Sequence, residues 1–301
     1  MNLEKYQQYS RIARGLEQAD LVLKDARIIN VFTEEIIRGD IAIQDGIIAG
    51  IGSFQGKEER DLGGKYVCPG FIDSHLHLES TLVTPAELVT VASRHGTTTF
   101  IVDPHESANV SGLAGIDYIL EQTEDVKANV YVMMPSCVPA TGIDDNGCTL
   151  TAQDMAPYLN NSRILGLGEV MDSISVVQGD KGMHDKLELF EGRIRDGHAP
   201  FLVEGDLQAY AMAGIATDHE CSFFDYAMRE RRNGLTILIR EGSAARNLEA
   251  LVGGLVQRKM NGEGFCFCTD DKHIEDIQQE GHIDHNVRKA IRLGMNPVSA
   301  I

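Results

Sequence analysis

From Val67 onward one rhythm repeats along the chain: a short apolar run, a loop, then in most cases a helix-like segment. The apolar runs are Phe71 to His77, Thr97 to His105, Asn129 to Ser136, Ile164 to Met171, Ile215 to Glu220, Thr236 to Ser243 and Phe265 to Asp271. A weaker, charged run covers Arg193 to Pro200. The stretch from Pro85 to Ala92 follows Thr84 as a cap, with proline at the first helical position. Ala114 to Glu121, Asp206 to Met212, Phe224 to Arg232 and Ala244 to Gln257 fill the same role. Alternation of this kind implies a parallel sheet. Eight strand units in about 230 residues suit a TIM-type (β/α)8 barrel, which takes roughly 250 residues. A doubly wound open sheet is the alternative. It would want a glycine-rich phosphate turn after its first strand, and none is present.

The first 66 residues have another texture. A short polar helix over about residues 3 to 16 precedes β-favouring runs at Asp20 to Leu23, Ala26 to Val31, Asp40 to Ile43 and Ile47 to Gly52, with a turn signal at Asp45-Gly46. The expected organisation is a small β unit over residues 1–66 and an α/β barrel over 67–301.

Charge narrows the partners. The net charge is −18 over 301 residues, which argues against nucleic acid and anionic membrane surfaces. No apolar run approaches the ~18 residues of a membrane span, and residues 1–9 lack the apolar core of a signal peptide. Six cysteines do not make a disulfide framework in a chain of this length, and Cys266 and Cys268 read as small buried residues. The expected home is the cytoplasm.

Chemistry-bearing residues recur at the expected C-terminal ends of the strands, where a barrel of this type keeps its site. The first strand ends in His75-Leu76-His77, whose imidazoles share a face because alternate residues of a strand project the same way. The second ends in Asp103-Pro104-His105-Glu106, the fourth carries Glu169, the fifth His198, the sixth Asp218-His219-Glu220 and the eighth Thr269-Asp270-Asp271. Singly, each is as readily a cap or a loop hydrogen-bond partner. Jointly, His75, His77, Glu169, His198, His219 and Asp270 exceed the needs of one tetrahedral ion and suit two divalent ions with a bridging carboxylate. Glu169 is the natural bridge, lying between the other ligands in strand order. The fourth strand end offers no lysine for a carbamylated bridge. A water in such a site can have its pKa lowered from 15.7 to about 7, and Asp270 beside it can take and return a proton. The implied chemistry is hydrolysis.

These residues, with His95-Gly96-Thr97-Thr98-Thr99, Pro135-Ser136-Cys137-Val138-Pro139-Ala140, Gly197-His198-Ala199-Pro200 and Arg240-Glu241-Gly242-Ser243-Ala244-Ala245-Arg246-Asn247-Leu248, resemble the adenine deaminases of the amidohydrolase superfamily from about residue 18 onward. The resemblance implies a first metal on His75 and His77, a second on His198 and His219, Glu169 bridging, and Asp270 as ligand and proton shuttle. It implies manganese or iron, with zinc accepted by the same donors. It places His105 and Glu106 around the centre or at an additional metal position. Arg240, Glu241 and Ser243 become candidates for substrate or ligand support, with a buried Arg240–Glu241 pair as the equal alternative. The implied reaction is hydrolytic deamination of a purine, adenine to hypoxanthine and ammonia.

Two departures accompany it. Family members run longer, and their later chain completes the β unit, here half of a composite β-sandwich. The expectation is therefore a truncated product or one component of a split enzyme, with a second protomer or a partner chain covering the incomplete unit. The loops Thr141-Gly142-Ile143-Asp144-Asp145 and Met171-Asp172-Ser173-Ile174-Ser175 diverge from the family pattern. Strand-end loops select substrate, so another amino-heterocycle or a cyclic amide is the second reading. An inactive metal-binding fragment is the third.

Overall fold

Asn2 starts the first helix, α1 (Leu3–Ala13), because its side chain accepts the free N–H of Lys5. The structure, a computed structural model, describes residues 1–301. They fall into two compact units: Met1–Pro69 with Pro297–Ser299 and Ile301, and Gly70–Asn296 with Ala300.

In the first unit, β1 (Ala19–Asn30) runs antiparallel to β2 (Glu35–Gln44), which pairs with β3 (Ile47–Gly52). The β2–β3 hairpin turns at Asp45 and Gly46, both with positive φ, as the Asp-Gly dipeptide predicts. The two short runs read from Asp20 to Val31 are one strand, interrupted by a bulge between Leu23 and Ala26. Charge hid one strand from sequence reasoning: β4 (Gly56–Asp61) is Gly-Lys-Glu-Glu-Arg-Asp, yet it pairs parallel with β1. Its backbone bonds supply the order that its mostly exposed side chains do not. β5 (Tyr66–Val67) also pairs with β1. Ile36, Ile47, Ile48 and Ile51 of this unit are exposed.

The second unit holds the barrel strands. One parallel sheet contains β6 (Phe71–Leu76), β7 (Thr97–Val102), β8 (Asn129–Met134), β9 (Ile164–Val170) and β10 (Ile194–Gly197) in sequence order. A second contains β11 (Thr217–Asp218), β12 (Thr236–Arg240) and β13 (Phe265–Cys268). Backbone bonds join the two: Ala216 N–H donates to Arg195 O at 2.9 Å, and Asp270 N–H donates to His75 O at 3.0 Å. All eight expected strands are present, and the mixed α/β fold with a curled parallel sheet agrees with the TIM-type expectation.

Helices cover the strands. α2 (Pro85–Ser93) begins at Thr84 and Pro85 as expected, although Thr84 caps by position alone and makes no side-chain bond. After β7 come α3 (His105–Ser111) and α4 (Leu113–Gln122), and after β8 the short α5 (Ala152–Met155). Two helices unread in the sequence, α6 (Ser173–Gln178) and α7 (Lys181–Leu189), follow β9 and are capped by Asp172 and Asp180. The remaining helices are α8 (Glu204–Met212), α9 (Phe224–Arg232), α10 (Leu248–Gln257), α11 (Ile274–Glu280) and α12 (Ile283–Arg292). No helix is long and apolar enough to cross a membrane. The core joins strand residues Leu76, Phe100, Val132 and Leu167 to helix residues Leu88, Ile116 and Leu187. Deleting a ring such as Phe100 from packing of this kind costs about 3–5 kcal/mol. Cys268 is buried, whereas Cys266 is exposed, against the expectation that both would be covered; all six cysteines are free.

Glu230 on α9 is fully buried beside the thiol of Cys221. Burial first, then the charge of Asp218, pushes its carboxyl up to about 9. The folded chain therefore keeps a proton that the unfolded chain loses in the ordinary carboxylate range, and ionisation favours unfolding as pH rises from there towards 9. Glu230→Gln, which presents a permanently neutral group, should flatten the decline of Tm between neutral and alkaline pH, as measured by calorimetry against the parent chain.

Candidate active site

Strand geometry converges six side chains at one end of the barrel. His75 lies in β6 and His77 just beyond it, Glu169 near the end of β9, His198 after β10, His219 after β11, and Asp270 two residues beyond β13. All but His198 are nearly fully buried. Charged groups stay in such a place only when paired or held by a cation.

Hydrogen bonds fix which nitrogen of each ring faces inward. His75 Nδ1 lies 2.8 Å from Asp196 Oδ2, and His77 Nδ1 lies 2.9 Å from the backbone oxygen of Asp103. Both Nδ1 atoms donate to these oxygens, which leaves each Nε2 free. The two Nε2 atoms are 3.1 Å apart. Glu169 Oε1 sits 3.3 Å from His75 Nε2 and 2.9 Å from His77 Nε2, and Asp270 Oδ1 sits 3.5 and 3.1 Å from the same atoms. Four electron-rich atoms this close repel one another unless positive charge lies among them. Glu169 Oε1 has no hydrogen-bond partner, which fits a cation there better than a proton network.

The second oxygen of Glu169 faces the other pair. Oε2 is 2.8 Å from His198 Nδ1 and 3.6 Å from His219 Nε2. The His219 ring stacks on His75 with centroids 4.0 Å apart. Glu169 thus offers one oxygen to each histidine pair. The donor atoms of His75, His77 and Glu169, and separately those of Glu169, His198 and His219, lie within 4.8 Å of one another.

Electrostatics follow from this packing. Burial alone would raise Glu169; the imidazoles of His219, His77 and His198 outweigh it and hold the carboxyl well below its usual range. Asp270 is held low in the same way, against burial, by His75 and His77. For His75 the reverse holds: burial opposes protonation, but Asp196, Asp270 and Glu169 raise the ring well above its usual value, and Glu169 and Asp270 do the same for His77.

His105 and Glu106 open α3 at the border of this cluster. His105 Nδ1 is 3.6 Å from Glu169 Oε1, and Glu106 Oε2 is 3.6 Å from His77 Nδ1 and 3.7 Å from His105 Nε2. Burial lowers His105 to about 4 and raises Glu106 to about 7. Arg240 reaches the site from the end of β12, but not with Glu241. Its guanidinium grips Glu220 with both terminal nitrogens and donates to Asp270 Oδ2 at 2.9 Å. The Arg240–Glu241 pair is not formed, because successive strand residues point to opposite faces. Glu241 is fully buried on Lys289 at 2.6 Å, and Ser243 bonds Asp276 and the backbone of His273; neither joins the cluster.

Sequence reasoning assigned no role to Asp103, Asp196 or Glu220. Asp196 had a visible signal, since it precedes His198 by two residues and shares its strand face. Asp103 acts on His77 through a backbone oxygen and on Glu169 N–H through Oδ2 at 2.8 Å. That close approach needs Gly168, where a Cβ would stand 2.2 Å from Asp103 Oδ2.

Comparison with known proteins finds relatives along the whole chain. The chain is 57% identical over 301 residues to the adenine deaminase of Desulfitobacterium hafniense (strain Y51), which covers 100% of this chain and 53% of that protein. It is 47% identical over 291 residues to the adenine deaminase of Clostridium acetobutylicum, covering 96% of this chain and 51% of the relative. The chain thus spans about half the length of the curated relatives it matches. Among solved structures, beta-aspartyl dipeptidase from Fervidobacterium islandicum AW-1 shares the fold with a TM-score of 0.63 at 13% identity, over 94% of this chain and 84% of that one. The 5-methylcytosine deaminase from Klebsiella pneumoniae does so with a TM-score of 0.55 at 15% identity, over 91% of this chain and 79% of that one. The amidohydrolase family itself matches residues 66–292. With its fold and most of its length accounted for in this way, the chain belongs to the amidohydrolase family.

Proposed function

We propose that this chain carries the metal-dependent catalytic barrel of an adenine deaminase, which hydrolyses adenine to hypoxanthine and ammonia. The observation that carries the reading is the single carboxylate of Glu169 set between two histidine pairs, in a chain 57% identical along its whole length to a protein named adenine deaminase. His75 and His77 would hold one divalent ion and His198 and His219 a second, with Glu169 shared between the pairs and Asp270 as a further ligand. Manganese or iron suits this nitrogen and oxygen set, and zinc is accepted by the same donors. When bound, such ions lower the pKa of a water from 15.7 to about 7.

The chain's own residues then divide the work. Asp196 and the Asp103 carbonyl keep His75 and His77 turned with Nε2 inward. Asp270 takes a proton from the attacking water as its oxygen bonds to the ring carbon bearing the amine. Asp270 returns that proton to the exocyclic nitrogen, the carbon–nitrogen bond breaks, and ammonia leaves. One water is consumed for each ammonia released. Glu106, near neutral in pKa and partly open to solvent, borders the same mouth.

The divergent loop at Thr141 to Asp145, which exposes Ile143, supports a different amino-heterocycle as the second reading. Manganese-loaded chain should release ammonia and hypoxanthine from adenine. Release from another ring of a purine and pyrimidine panel, with adenine inert, transfers the assignment to that ring.

Two further outcomes test the residues. Glu169→Gln should lower manganese content, since one negative charge between the histidine pairs is lost. At saturating manganese, Asp270→Asn should fall in turnover by about 10²–10⁴-fold, the usual contribution of a positioned proton carrier; unchanged turnover removes that role from Asp270.

Protons compete with cations for His75 and His77. Their raised affinity for protons means that the competition persists above the ordinary histidine value of about 6.5. Manganese affinity measured by titration calorimetry should therefore keep rising with pH beyond that point, with protons released on binding. A plateau below it contradicts this account.

A further inference from the structure

Asp270 stands in a backbone conformation that L residues rarely adopt, with φ at +58°. Its carboxylate is divided. Oδ1 faces the two Nε2 atoms of His75 and His77, and Oδ2 accepts from Arg240 Nη1 at 2.9 Å. Arg240 is itself held from the other side by Glu220, whose Oε2 takes Nη2 at 3.0 Å while Oε1 takes Nη1. Glu220 Oε1 lies 3.9 Å from His198 Nδ1 and 3.8 Å from His219 Nε2. The chain Asp270–Arg240–Glu220 therefore links the ends of β13, β12 and β11, and it runs from one histidine pair to the other. All three side chains are largely buried.

We propose that Arg240, locked by Glu220, is a positioning residue that turns the Asp270 carboxylate so that Oδ1 faces the cation position of His75 and His77. This rests on the reading of Asp270 as a cation ligand and deepens it. A carboxylate on a short side chain has a free torsion at its end. A planar guanidinium that donates to Oδ2 from Nη1, and is held by a second carboxylate across both terminal nitrogens, removes that freedom. Lysine in its place keeps the positive charge but offers no rigid fork. The charge of Arg240 by itself would repel a neighbouring cation, so any gain in cation affinity from this residue must come through the orientation of Asp270.

The test reads manganese binding without substrate, from the free-ion electron paramagnetic resonance signal, on the full chain. Arg240→Lys should weaken manganese binding by about 10–100-fold, the usual effect of losing a partner that orients a ligand, with the Tm held near that of the parent. In an Asp270→Asn background the same Arg240→Lys change should have no further effect, because the group it orients has lost its charge. Glu220→Gln should weaken binding less than Arg240→Lys. The proposal is overturned if Arg240→Lys binds manganese as tightly as the parent, or if it weakens binding equally with and without Asp270→Asn. Because no substrate is involved, an absence of adenine turnover in the parent chain would sink the deaminase reading and leave this test standing.

Discussion

Closure of the barrel and assembly of the site are one interaction. The backbone N–H of Asp270 donates to the carbonyl of His75, and the N–H of His77 donates to the carbonyl of Asp270 at 3.3 Å. These bonds join the last strand to the first across more than half of the chain. They also place three of the candidate ligands against each other. Behind them, Asp73 accepts both the N–H and the hydroxyl of Thr269 and lies 3.1 Å from the ring of His282. The seam is thus fastened in two places one strand step apart. A barrel that failed to close here would separate three of the candidate ligands and lose its last strand pairing together.

Burying so many ionisable groups works against stability, and around the site the fold compensates by setting groups of opposite polarity against one another. Asp196 and the Asp103 carbonyl orient the first two imidazoles, Glu169 sits among four, and Arg240 lies between two carboxylates. At the centre Glu169 Oε1 and Asp103 Oδ1 have no hydrogen-bond partner, as do atoms away from it such as Arg195 Nε and Glu241 Oε2. Glu169 Oε1 differs from the others in lying among the donor atoms of His75, His77 and Asp270. The surrounding network decides which face each group presents there.

Much of this was legible from the linear chain, for physical reasons. Ile164–Val170 is buried almost throughout and reads as an apolar run broken only by Glu169, and Thr97–Val102 is legible from its β-branched residues although Thr98 is exposed. The weak run from Arg193 still gave a strand, because Ile194–Gly197 pairs with β9 while its charged side chains find partners, Arg195 on the carbonyl of Ala213 and Asp196 on His75. Where side chains do not decide, the reading failed: β4 is ordered by its backbone pairing despite its charges. The helices after β9 went unread even though Asp172 and Asp180 are strong caps, since their apolar faces are short. Of the two readings open for Arg240, the pair with Glu241 is absent because neighbours in sequence are opposed in a strand, whereas Glu220 lies 20 residues away and close in space.

The sequence by itself determined the strand and helix rhythm and the set of donors at the strand ends, because burial and side-chain spacing are local properties of the chain. Only the tertiary structure decided which oxygen of Glu169 serves which histidine pair, which ring nitrogens turn inward, and that Arg240 belongs to Asp270 and Glu220 rather than to Glu241. Those outcomes depend on the register between strands distant in the chain, and register is set by closure of the whole barrel.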